Sequence, residues 1–168
     1  VEFQADVLPE TPSYYALAPD EAPEPDGPAV TVEHAGESVR VDTGAAIVDV
    51  PRSGAGFISG VTVNDAPLLH ATSITAEDDR GTRYFFTGRR TTVERSARLR
   101  AIVRIDGYFI GPNGQAWLDA SVRLNFFAGL GTVTADIEVT NPRAARHHGG
   151  EGAMYVRLSR GRGDNRGD

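Results

Sequence analysis

The chain has 168 residues, 40% hydrophobic and 24% charged, a balance ordinary for one domain folding around one core. Its formal charge of -6 argues against gripping a phosphate backbone, so nucleic acid is not an expected partner. With no cysteine, disulfides and thiolate metal sites are excluded; no apolar run approaches a membrane span and the N-terminus lacks a basic-then-apolar leader, so a soluble chain with no membrane partner is expected.

Residues 1–29 read as a short strand (Val1 to Val7) followed by an acidic, proline-rich arm. Six prolines between Pro9 and Pro28 remove ladder donors there, while Tyr14, Tyr15 and Leu17 supply anchoring bulk. From Val30 the pattern turns to period two. Val39, Val41, Ile47, Val48 and Val50 are bounded by Gly36, Thr43-Gly44 and Ser53-Gly54, as in short strands joined by turns. Phe57 to Val63 and Leu68 to Ile74, separated by Asn64-Asp65-Ala66-Pro67, predict a hairpin.

The strongest pattern runs from Thr91 to Asn141. Leu99, Ala101, Val103, Ile105, Gly107 and Phe109 share one face, and Arg98, Arg100, Ile102, Arg104, Asp106 and Tyr108 the other. After the turn Gly111 to Gly114, Ala116, Leu118, Ala120, Val122, Leu124 and Phe126 alternate with Trp117, Asp119, Ser121, Arg123 and Asn125. Beyond the reversal at Gly129 to Gly131, Val133, Ala135, Ile137 and Val139 alternate with polar residues. The fold class is therefore all-β: an antiparallel β-barrel or β-sandwich with long central strands, over residues 30–150. Pro142 to His148 reads as a loop or single turn. Residues 151–168 read as a flexible Arg/Gly-rich tail, whose two Arg-Gly-Asp triplets follow from that composition.

No motif carries chemistry. His147 and His148 are adjacent and so poorly placed to share a metal, and no metal or cofactor is expected. Gly54-Ala55-Gly56 precedes a strand rather than a helix, which removes the helix N-terminus of a phosphate loop, and Ser53 is not in a nucleophile elbow. The carboxylates of Glu77-Asp78-Asp79 and of Asp136 with Glu138 read as a loop and a solvated strand face. The polar face of the central strands is the candidate site. There Arg98, Arg100, Arg104, Tyr108, Trp117 and Arg123 offer rings that stack on sugars and guanidinium forks that take uronate carboxylates, unless the same residues pack against a second sheet or a neighbouring domain. All 17 basic residues are arginine, which codon usage in a GC-rich genome explains as readily as bidentate binding.

Thr92 to Arg95, Arg98 to Tyr108, Ala120 to Gly129 and Asn141 to Gly150 resemble the N-terminal β-domain of the exo-rhamnogalacturonan lyase-like family of polysaccharide lyases. The resemblance covers roughly residues 1 to 150 and departs after Gly150. It implies a multi-domain, secreted or extracytoplasmic, bacterial carbohydrate-active enzyme that cleaves acidic polysaccharide by β-elimination. Such a reaction needs a base and a cation beside the uronate, and no complete set of these roles maps onto this chain. The expectation is thus a fragment: a non-catalytic β-domain whose partners are an acidic polysaccharide or oligosaccharide and the neighbouring domains of a longer chain. The carbohydrate contacts would be Arg104, Tyr108, Trp117, Arg123, Arg146 and His147, with catalytic residues unassigned; should the chain itself prove active, Tyr108, Arg146 and His147 are the first to test. The alternative is a structural or adhesion-type module that binds through exposed sheet edges.

Overall fold

The computed structural model describes residues 27–69 and 71–142, and the backbone alone of 155–159. The strand expected at residues 1–7, the arm up to residue 26, His70, and residues 143–154 and 160–168 lie outside the described residues.

Two antiparallel sheets face each other as a sandwich, which resolves the choice between barrel and sandwich. The small sheet contains β1 (Thr31–Ala35), β2 (Ser38–Asp42), β3 (Ile47–Pro51), β5 (Gly60–Val63) and β6 (Ala66–Leu69), in that spatial order. The large sheet runs β11 (Val133–Thr140), β10 (Ala116–Phe127), β9 (Arg100–Ile110), β8 (Arg83–Ser96), β7 (Ser73–Glu77) and β12 (Tyr155–Ser159), with the two-residue β4 (Gly54–Ala55) paired to β8. Alternation decides which side chains meet between the layers. Val39, Val41, Val48 and Val50 of the small sheet join Phe86, Val103, Ile105, Phe109, Val122, Leu124 and Phe126 of the large sheet in one buried cluster. On the opposite face of the small sheet, Arg40 and Asp49 are register partners joined by a two-pronged ion pair at 2.9 and 3.2 Å.

The hairpin expected around Asn64-Asp65 is present, closed by two positive φ angles of 49° and 61°, the signature of a type I′ turn. Its arms differ from the expectation. The first begins at Gly60, because Phe57 to Ser59 link the sheets, with the Ile58 amide bonded to the Thr72 hydroxyl at 3.0 Å. The second ends at Leu69, and Ile74 belongs to β7, across the sandwich. A fourth long strand precedes the three expected ones: β8 begins at Arg83, before the start of the pattern at Thr91, and is 14 residues long. Tyr84, Phe85 and Phe86 in succession mask its period. Tyr84 and Phe86 point inward, whereas Phe85 is 52% exposed. Within the stretch expected as a flexible tail, the backbone of residues 155–159 pairs antiparallel with β7.

Two irregularities interrupt β8. Gly88 and Arg90 pair with the successive residues Gly107 and Asp106, leaving Arg89 as an extra residue. Val93 and Arg95 likewise pair with Val103 and Ile102, leaving Glu94 as another. A third lies on β10 between Ala116 and Asp119. Such bulges bend a strand and re-aim the inserted side chain, and all three matter to the outer face of the large sheet.

Candidate functional site

The outer face of the large sheet is ruled into cross-strand rows by register. Thr92, Arg104, Arg123 and Asp136 form one row; Arg90, Asp106, Ser121 and Glu138 the next; and Thr87, Tyr108, Asp119 and Thr140 a third. Arg104 and Arg123, expected as neighbours, are therefore direct partners. Two guanidinium groups opposite each other repel, and Glu94, aimed from its bulge, bridges both and offsets part of the repulsion. Its carboxylate accepts from Arg123 Nε at 2.6 Å and Nη2 at 3.1 Å, and Arg104 Nη1 lies 3.7 Å away. Arg104 also donates to Asp106 at 2.8 Å. The hydrogen bond from Arg123 chiefly holds the Glu94 carboxyl below its ordinary pKa, and the same bond raises that of Arg123.

Farther along the sheet, Arg100 donates to Asn125 at 2.6 Å and sits 5.4 Å from the centre of the Phe127 ring, while Asn125 passes the network on to Asp136 at 3.0 Å. Arg98 instead reaches the Gly27 carbonyl, so it ties down the chain entering β1.

Trp117 is displaced from the expected aromatic and arginine cluster. The β10 bulge breaks the alternation just there, and the indole packs on Tyr84 with ring centres 4.5 Å apart, at the margin of the core. Tyr108 remains on the outer face, in register with Asp119. Arg146 and His147 lie outside the described residues.

Between the second and third rows the surface sinks into an open depression of ≈ 270 Å³. Gly107 and Ala120, register partners, line it together with Arg104, Asp106, Asp119, Ser121, Glu138 and Thr140, and the β8 bulge adds Arg89. A Cβ on Gly107 would collide with the Thr87 carbonyl oxygen and come within 2.9 Å of the Phe86 ring, so a glycine is needed at this crossing of the strands. Among the described residues, no group of three or more His, Asp or Glu is placed to hold a metal ion. The depression was not read from the sequence as a site. Asp106, Asp119 and Ser121 already stood on the polar parity, but their grouping with Glu138, Thr140 and Arg89 depends on register and on a bulge.

Residues 30–139, spanning both sheets and this face, match the family described as the PcRGLX-like protein central beta sandwich domain. The chain belongs to this family. The expectation of a rhamnogalacturonan lyase-like β-domain is thereby met, and the module matched is the family's central sandwich rather than its N-terminal domain. The chain is also similar to the uncharacterized protein YetA of Bacillus subtilis (strain 168), at 27% identity over 107 residues. That similarity spans 56% of this chain but 12% of the length of YetA.

Proposed function

We propose that this PcRGLX-like central sandwich is a non-catalytic module of a secreted protein that degrades acidic polysaccharide, packed between neighbouring domains that carry the chemistry. The observation that supports this most directly is the Glu94 clamp. β-Elimination at a uronate needs a cation available to the substrate carboxylate and a base beside the proton to be removed. On the face with the most arginine, the guanidinium groups of Arg104 and Arg123 already hold Glu94 and Asp106. A uronate would have to displace those carboxylates first. The arrangement suits a rigid, charge-balanced surface that is stable without a ligand.

The test is a β-elimination assay on acidic polysaccharides, following the absorbance of the unsaturated uronate, with this chain alone and with a longer protein that contains it. Silence from the chain and activity from the longer protein are expected. Turnover by the chain alone would overturn the non-catalytic reading.

A further inference from the structure

The depression on the outer face contains two opposite charges that are not used on each other. Among the described residues, neither the Arg89 guanidinium nor the Asp119 carboxylate makes a hydrogen bond or an ion pair, although both line the same hollow. Of the other charges there, Asp106 holds Arg104 at 2.8 Å, while Glu138 makes no hydrogen bond or ion pair with the described residues and acts on Arg123 through its charge alone. The hollow thus offers one donor fork and two carboxylates, those of Asp119 and Glu138, together with the hydroxyls of Ser121 and Thr140, over a floor that includes Gly107.

We infer that this depression is a binding subsite for a neutral sugar unit. A hydroxyl is the group that both donates to a carboxylate and accepts from a guanidinium, so neighbouring hydroxyls on one ring can engage Asp119 and Arg89 together without adding charge. A uronate carboxylate would face Asp106, Asp119 and Glu138, and an ammonium group would face Arg89 and Arg104. Tyr108, in register with Asp119 on the same face, adds a half-buried aromatic ring beside the hollow for the apolar side of a sugar. The inference rests on the polysaccharide-degrading reading above and adds to it: the sandwich recognises the neutral units of a mixed polymer and leaves the acidic units to neighbouring domains.

The test is a titration of the chain, followed by amide NMR shifts, with the methyl glycosides of L-rhamnose and D-galactose and, separately, with D-galacturonate. Saturable shifts at Gly107, Ala120 and Thr140 are expected with a neutral glycoside and weaker ones with galacturonate. Asp119→Asn and Arg89→Gln, both at exposed positions, should keep the thermal midpoint and weaken neutral-sugar binding by about tenfold or more, the loss of a charged hydrogen bond. No saturable shift with either neutral glycoside, equal or tighter binding of galacturonate, or unchanged affinity in both variants would each overturn the subsite. These readouts are independent of the β-elimination assay. Turnover by the chain alone would sink the non-catalytic reading and leave the subsite standing.

Discussion

Arg104 and Arg123 face each other directly across β9 and β10, and the Glu94 carboxylate from the β8 bulge holds both. Like charges in register destabilise a sheet, so the clamp supports the geometry of the whole outer face. Its groups are partly exposed and screened by solvent. Glu94→Gln should therefore cost on the order of 1 kcal/mol, with the loss greater at low salt. Adding Arg123→Gln should return part of it by removing the repulsion. A urea midpoint for Glu94→Gln equal to that of the parent protein would contradict this account.

The same clamp makes stability depend on pH. Glu94 is held below its ordinary value of 4.5, first by the hydrogen bond from Arg123. Asp78 is held below 3.8, first by the Thr82 amide in the β7 to β8 turn. A carboxylate with a depressed folded pKa binds fewer protons folded than unfolded. Its contribution is complete above the unfolded value and is lost as pH falls through the folded one. Urea midpoints should hold near neutrality and decline below the ordinary carboxylate values. Glu94→Gln should flatten that decline, and an unchanged slope would count against the assignment.

Gly107 lies opposite Gly88 where β9 pairs with β8. Gly107→Ala would push a methyl group against the Thr87 carbonyl and the Phe86 ring, an overpacking that should cost about 1–3 kcal/mol. Thermal denaturation gives the answer, and a variant as stable as the parent would show that the strands part there without strain.

Thr43, only 1% exposed, joins the two sheets. Its hydroxyl donates to the Leu130 carbonyl at 2.8 Å and accepts from the Ala46 amide at 3.1 Å, while its own carbonyl accepts from Gly129 at 2.6 Å. The turn between β2 and β3 is thus bonded to the loop between β10 and β11. Thr43→Val keeps the shape and removes the hydroxyl, leaving the buried Ala46 amide without its acceptor at a cost of about 1–3 kcal/mol. Hydrogen exchange at Ala46 should accelerate with it, and slow exchange in the variant would speak against the link.

Trp117 is the sole tryptophan, so its emission reports on one place. Tyr84→Leu removes the ring that packs on it and should shift the emission to longer wavelength, with a fall in the thermal midpoint. An unshifted spectrum would mean that Trp117 does not rest on Tyr84.

Much of the fold could be read from alternation. Val39, Val41, Val48 and Val50, and the apolar parity from Ala101 to Phe109 and Leu118 to Phe126, are buried as their spacing requires. The reading failed where alternation was masked or interrupted. Three consecutive aromatics hid the start of β8, and the β10 bulge moved Trp117 off the polar face. Arg104 and Arg123 were expected to be close, but nothing in their spacing disclosed Glu94, 29 positions before Arg123, as their common partner.

The sequence by itself determined the class of fold, the inward and outward parity of β9 and of β10 beyond its bulge, and the polar character of the outer face, because a period of two is a local property of an extended chain. The tertiary structure alone decided which strands are neighbours, which rows align and where β8 takes in Arg89 and Glu94 as extra residues. Register and bulges are relations between strands, set by which pairing buries the two valine and phenylalanine layers against each other without strain. The clamp and the depression exist only through those relations.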